Sequence, residues 1–367
     1  MKILLLGEFS ALHKNLKEGL LELGHDVDIA SSGDGWKNID RDIDLNANGP
    51  YLIRGIKRVI KKYQLLEIVK NYDVVQLINP FELYGRLIPN KIYFKKLIEN
   101  SKRFYLLAAG SDSFFWLYGR TKLRYGPFDD LLKYDCNNSK KSYLECNRAF
   151  KVNKYIADNC DGIIPIMFEY ETSYEGHPNL LNTIPIPINL HRIEFIKNKI
   201  KDKIVIFHGL NRYGFKGTRH IEEAFAILSK KYPDELELII DGHMPLDKYL
   251  EVMKKTNVII DQTNSYSLGV NGVYALAMGK IVMGGSEPES LKSFGVETSP
   301  VINIKPNSQS IIKEIEKLLI NKEKITQLGC ESRQFAEEVH QHIKIAKKYV
   351  NTWSINHSAY QQRIVKS

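Results

Sequence analysis

Cysteine is scarce: there are four in 367 residues (Cys136, Cys146, Cys160 and Cys330), and none forms a C-x-x-C pair. That spacing argues against a zinc ribbon or a dithiol redox motif, and unpatterned thiols are what a reducing cytoplasm leaves in a chain. Long apolar runs are also missing. No stretch reaches the ~18 residues that a membrane helix needs. The apolar opening MKILLLGEF has no small-residue cleavage site behind it, so it reads as a buried first strand rather than a secretion signal. No H-E-x-x-H, P-loop or G-x-S-x-G motif occurs. Proline (13) and glycine (24) are too sparse for a low-complexity chain, and the 43% hydrophobic content is that of a folded one. The length is what two domains need.

Acidic residues are in deficit. The net charge is +9, and residues 51–103 hold twelve Lys or Arg against four Asp or Glu, a local net of +8. Within that stretch YLIRGIKRVIKKY sets Leu52, Ile53, Ile56, Val59, Ile60 and Tyr63 at helical spacing, with Arg54, Lys57, Arg58, Lys61 and Lys62 between them. Such a helix suits an anionic membrane surface. It equally suits an outer helix whose apolar stripe packs on its own sheet. Aromatic residues are not interleaved with the cations as base stacking requires, so nucleic acid is not an expected partner.

The apolar runs alternate with helical patterns. Lys2–Leu6, a turn at Gly7-Glu8-Phe9-Ser10, a helix over His13–Leu23 ended by Gly24, and a strand over Asp26–Ala30 make one βαβ unit. Further strands are predicted at 73–77, 103–108 and 162–166. The segment NTIPIPIN (182–189) carries Pro185 and Pro187, which suit neither a helix interior nor a central strand, and is read as the interdomain linker. Beyond it strands at 203–207, 235–240, 258–261, 280–283 and 301–304 alternate with helices at 218–231, 246–255, 272–278 and 308–319. A last helix lies near 343–353. The expectation is an α/β chain of two Rossmann-like domains: 1–188 with the C-terminal helix (343–367) packed back on it, and 189–342, with ligands at the carboxyl ends of the strands and in the cleft between the domains.

Two elements carry chemistry. After the strand KIVIF comes His208-Gly209-Leu210-Asn211-Arg212-Tyr213-Gly214-Phe215-Lys216-Gly217 and then a helix. Arg212 and Lys216 on a glycine-rich loop at a helix entrance are what a diphosphate needs; a plain solvated loop has the same composition. Further on, Gly269-Val270-Asn271-Gly272 opens an alanine-rich helix. Its small residues would let a phosphate approach the positive helix end, or let the helix pack close to the sheet.

Together these elements resemble the C-terminal domain of retaining GT-B glycosyltransferases of family four. That pattern has glycine, Arg, a short loop and Lys-Gly before a helix, then E-G-x-G and a helix reading roughly E-A-M-A-x-G-x-P-V. Arg212 and Lys216-Gly217 match the first part; Gly269, Ala275, Ala277, Gly279, Lys280 and Val282 match the second. The opening strand, the Gly7 turn and the Gly24–Val27 G-H-D-V run are also similar, so the resemblance spans nearly the whole chain. It implies a two-domain GT-B fold with a cleft, a nucleotide diphosphate-sugar donor (UDP- or GDP-sugar) on the second domain, and a saccharide or lipid-linked saccharide acceptor on the first. No cofactor and no metal are expected. Arg212 and Lys216 would neutralise the leaving diphosphate, with Gly209 and Gly269 to Gly272 about it.

The sequence departs from that pattern where the paired glutamates belong: Tyr266 and Tyr274 stand there. A tyrosine cannot give a bidentate carboxylate contact to ribose, so Glu287 and Glu289 become candidates for sugar or ribose contacts. His243 is a candidate near the base. On the acceptor side the candidates are Gly7, Glu8, Phe9, His13 and Ser111, with Asp112 to orient or deprotonate the acceptor hydroxyl. Asp112 is equally an N-cap or turn residue and His13 equally a structural helix-start histidine. The short acidic runs Asp26-Val27-Asp28 and Asp42-Ile43-Asp44 are set aside as metal sites, the first because it alternates along a strand. Two rival readings stay open: a non-catalytic GT-B-like binding subunit of a polysaccharide assembly complex, and a nucleotide-sugar epimerase.

Overall fold

The computed structural model of the chain describes residues 1–85, 88–133, 143–210, 213–242 and 246–355. Two compact units are present. The first comprises Met1–Tyr118, Lys141–Asn189 and His342–Ser367; the second comprises Gly119–Lys140 and Leu190–Gln341.

In the first unit the apolar runs become β1 (Lys2–Leu6), β2 (Asp26–Ser31), β3 (Ile43–Asp44), β4 (Val74–Leu77), β5 (Phe104–Ala108) and β6 (Gly162–Pro165). They form one sheet in the order β3-β2-β1-β4-β5-β6, and every pairing is parallel. Continuous rather than alternating hydrophobicity, as in KILLL and FYLLA, follows from burial on both faces. Helices α1 (Leu12–Glu22), α2 (Tyr51–Ile68), α3 (Asn90–Glu99) and α6 (Asn147–Asn159) connect these strands, and α7 (Phe168–Tyr174) follows the last of them. The short α4 (Arg120–Lys122) and α5 (Asp129–Lys133) lie between α3 and α6 in sequence but group with the second unit. The strand order reverses beside β1 and β4, so the crevice of this sheet opens at their carboxyl ends, at Gly7 and Ile78.

The helix α2 divides in its packing. Leu65, Leu66 and Val69 at its end are buried in the core, and Val59 packs against that core. The stripe that a self-contained helix would have buried stays in solvent: Ile53 is 48% exposed, Ile56 58% and Ile60 51%. Amphipathic spacing therefore marked the sidedness of this helix but not what covers its first three turns.

In the second unit β7 (Ile204–Gly209), β8 (Leu236–Asp241), β9 (Val258–Ile260), β10 (Ile281–Gly284) and β11 (Ile302–Asn303) form a parallel sheet in the order β11-β10-β9-β7-β8. The helices are α8 (Thr218–Lys231), α9 (Leu246–Lys255), α10 (Val270–Ala277), α11 (Pro288–Phe294), α12 (Ser308–Ile320) and α13 (Ile325–Phe335). Ile204, Ile206, Val258, Ile260, Ile281 and Met283 make a core with Ile221, Leu228, Ile311 and Ile315 from α8 and α12. The switch point falls between β7 and β9, so the crevice lies at Gly209 and Asp261.

The last described helix, α14 (His342–Ile355), belongs to the first unit. There it packs on α1 at Gly19: a Cβ on that glycine would sit 2.5 Å from the His342 carbonyl oxygen and 2.8 Å from its carbon. Glycine costs a helix interior ~1 kcal/mol against alanine, so close backbone approach explains its presence. Gly19→Val should destabilise the first unit by about 1–3 kcal/mol through overpacking. Thermal unfolding would check this: a melting temperature equal to that of the parent would refute the close contact.

Candidate functional site

At the carboxyl edge of the second sheet, β7 runs into Gly209 and the loop toward α8. Arg212 and His243 lie outside the described residues. Lys216 is described, half-buried, and its Nζ lies 3.2 Å from Asp261 Oδ1. The other oxygen of Asp261 accepts the Gly269 N–H at 2.7 Å. Gly269 is the residue before α10, which starts at Val270, two residues earlier than the pattern predicts. Gly272 thus falls inside the first turn, where a Cβ would come 2.9 Å from Asp261 Oδ2. Val270, Asn271 and Tyr274 are half-buried along the same helix. The buried Asp261 carboxylate thus holds an ammonium and a helix-end N–H together at the entrance of α10.

The loop itself is tightly held. Gly217 has φ +70°, and a Cβ there would meet Thr263 Oγ1 at 1.9 Å, so no other residue fits. The Thr263 N–H donates to the Lys216 carbonyl at 2.9 Å. Beneath them His208 is buried. Its Nδ1 lies 2.8 Å from the Ile260 carbonyl and its Nε2 3.0 Å from Thr218 Oγ1, a pattern that assigns the neutral Nδ1–H tautomer. Burial, with Lys216 nearby, pushes its pKa down to about 4.

Tyr266, on the loop before α10, comes together with Glu287 and Glu289 at the start of α11, and Arg124 and Tyr125 pack against them. Tyr125 stacks on Tyr266 with ring centroids 4.8 Å apart, and its hydroxyl donates to Glu287 Oε1 at 2.6 Å. The same oxygen accepts from Asn303 Nδ2 at 3.0 Å and from Lys305 Nζ. Burial alone would raise the pKa of Glu287, but these donors outweigh it and hold the carboxyl below its ordinary value. The backbone N–H and Nε of Arg124 donate to the Tyr266 hydroxyl at 3.2 and 3.3 Å, and its Nη2 pairs with Glu289 at 3.1 Å.

The first unit's candidates gather at the crevice beside β1. Gly7 has φ +84°, and a Cβ would strike Glu82 and Ile78 at 2.5 and 2.6 Å. Phe9 lies half-buried against Gly110, and Asn79 Nδ2 donates to the Ala109 carbonyl at 2.8 Å, joining the two strand ends. Ser111 is half-buried beside them. Glu8 turns inward: its oxygens accept the His13 and Lys14 N–H groups at 3.2 and 2.8 Å, capping α1, and burial pushes its pKa up to about 7.

The contacts of two of these residues match their structural alternatives. His13 is fully enclosed, with Nδ1 2.7 Å from the Gly7 carbonyl and Nε2 3.3 Å from Gln76 Nε2. It braces the turn, and burial pushes its pKa down to about 4. Asp112 is buried as a cap: Oδ1 accepts the Phe115 N–H at 2.8 Å and Oδ2 the Tyr174 hydroxyl at 2.5 Å. Its pKa is pushed up to about 6 by burial. Sequence reasoning passed over Asp261, Asn79 and the partners supplied by residues 124–130. Asp261 was visible as the polar end of an apolar strand; nothing in the sequence pointed to the others.

No family model matches the chain, and no curated protein matches it. Solved structures do. The Anabaena protein HepE in complex with UDP-glucose superposes with a TM-score of 0.62 at 11% identity, covering 96% of this chain and 100% of that one. This chain has the GT-B fold. Sucrose-phosphate synthase from Thermosynechococcus elongatus matches at a TM-score of 0.59 and 14% identity, over all of both chains. A UDP-GlcNAc 2-epimerase from Neisseria meningitidis, bound to UDP-GlcNAc, matches at 0.53 and 13%, covering 96% of this chain and 99% of that one.

Proposed function

We propose that this protein is a glycosyltransferase that moves a sugar from a UDP- or GDP-sugar to a hydroxyl of a saccharide or lipid-linked saccharide, with retention, in surface polysaccharide or glycoconjugate synthesis. The observation that carries the reading is the convergence of Lys216 Nζ and the Gly269 N–H on one carboxylate at the second switch point. These groups, with Arg212, would stabilise the charge that develops on the leaving diphosphate. HepE has been crystallised with UDP-glucose, which agrees with that choice of donor. The acceptor would be held on the first unit, at the Gly7–Phe9 turn and Ser111. His13 and Asp112 would keep that side in shape rather than react.

The exposed face of α2 supports a peripheral contact with an anionic membrane. Tyr51, Ile53, Ile56 and Ile60 stand in solvent beside exposed Lys57 and Arg58, which is the chemistry of an interfacial helix. Among the described residues no helix is long and apolar enough to cross a membrane.

A thermal-shift panel of UDP, GDP, CMP and their sugars, with and without EDTA, tests the reading. One nucleoside diphosphate should stabilise the protein by about 3 kcal/mol at a hundred times its dissociation constant, with no effect of EDTA. No response to any nucleotide would sink it. The epimerase reading is favoured by the Neisseria structure. It predicts turnover of the nucleotide sugar without an acceptor, which product analysis would detect.

A further inference from the structure

We infer that Arg124 is a phosphate-binding residue of the second unit, delivered by a strap of residues 123–130; this rests on the donor site proposed above. The strap is fixed at three strand ends of one sheet. After β7, Phe128 meets Phe215 edge-on at 5.9 Å, next to Lys216. After β9, Asp130 Oδ2 accepts Asn264 Nδ2 at 3.0 Å, and Asn264 adjoins Thr263, which bonds the Lys216 carbonyl. After β10, Tyr125 bonds Glu287. Between these anchors Arg124 lies on Tyr266, three residues before Gly269 in the loop that ends at α10.

Charge balance favours this arginine over the two lysines beside it. Even with Arg212, which the proposed site also uses, a diphosphate gains from a further cation, because Lys216 already faces the buried carboxylate of Asp261. Lys305 is likewise matched by buried Glu287. Arg124 instead pairs with Glu289, whose side chain is 43% exposed while that of Arg124 is 69% exposed. Solvent-exposed pairs of this kind are weak, so a phosphate can draw the guanidinium away from Glu289 and take a two-pronged contact.

The test is calorimetric titration with UDP and GDP at low and high NaCl. Arg124→Gln should weaken binding of the preferred nucleotide about fivefold at low salt, as expected for loss of one surface charge contact. The loss should shrink at high salt, where screening removes that contact from the parent too. Arg124→Lys should fall between the two. Affinity equal to the parent, or a loss independent of salt, would overturn the assignment while leaving the donor site standing. If the parent bound neither nucleotide, the donor-site reading and this assignment would fall together.

Discussion

Lys216→Ala should weaken binding of a nucleoside diphosphate about ten- to hundredfold, the range of a charge-assisted hydrogen bond of ~1.5–3 kcal/mol. Its partner predicts the opposite sign. Asp261→Asn removes the carboxylate that now holds Lys216 and the Gly269 N–H, so both groups turn to the ligand and affinity should rise. The two changes must also be separated from stability. Asp261 is buried, and without Lys216 it keeps its helix-end N–H but loses its cation. Removing one partner of such a pair is costly, ~3–5 kcal/mol when burial is complete. Lys216→Ala should therefore lower the melting temperature, and the double variant should recover part of the loss while still binding poorly. Titration calorimetry below the melting temperature of each variant reads the affinities. Unchanged affinity in Lys216→Ala would remove the diphosphate from this loop.

The architecture was legible because parallel strands covered on both faces must be continuously apolar, as in KILLL, FYLLA and IVIFHG. The two-residue strand β3 was not: Ile43-Asp44 carries no run, and its place is set by pairing Ala30 and Ser31 of β2. Helix starts slipped where glycine hides the boundary, as at Gly269. The site was half-legible. Lys216 and Gly269 follow from glycine-rich loops at helix entrances, but Asp261 gains its meaning only when the strand order sets it between them. The strap was illegible for a different reason. Residues 123–130 lie far in sequence from Phe215, Asn264, Tyr266 and Glu287, and no local periodicity encodes such a partnership. His13 and Asp112 show the same limit: a polar residue at a strand end can face ligand or core, and only its partners decide.

Glu8→Gln should flatten the pH dependence of stability. Glu8 lies in the turn after β1 at the first crevice, buried, with both oxygens bound to N–H groups of α1. Burial, aided by Asp34 nearby, outweighs those bonds and raises its pKa from 4.5 to about 7. The folded state therefore holds this proton more tightly than the unfolded chain does. The sign follows: its contribution to stability is fully present below about pH 4.5 and is lost as the pH rises through about 7. The loss amounts to about 3 kcal/mol at mildly alkaline pH. Glutamine mimics the protonated acid, with one acceptor for the helix N–H groups and no charge to bury. At low pH any difference should be a fixed one, since the amide NH2 cannot accept the second helix N–H, and from there the variant should gain steadily as the pH rises through neutrality. Other buried groups shape both curves equally: Asp112 is raised to about 6, and His13 and His208 are lowered to about 4. They cancel in the difference, which isolates Glu8. Urea unfolding across the pH range would measure it. A constant difference between the two proteins would mean that Glu8 stays ionised, and that the turn at Gly7 is held by a charged cap rather than a neutral one.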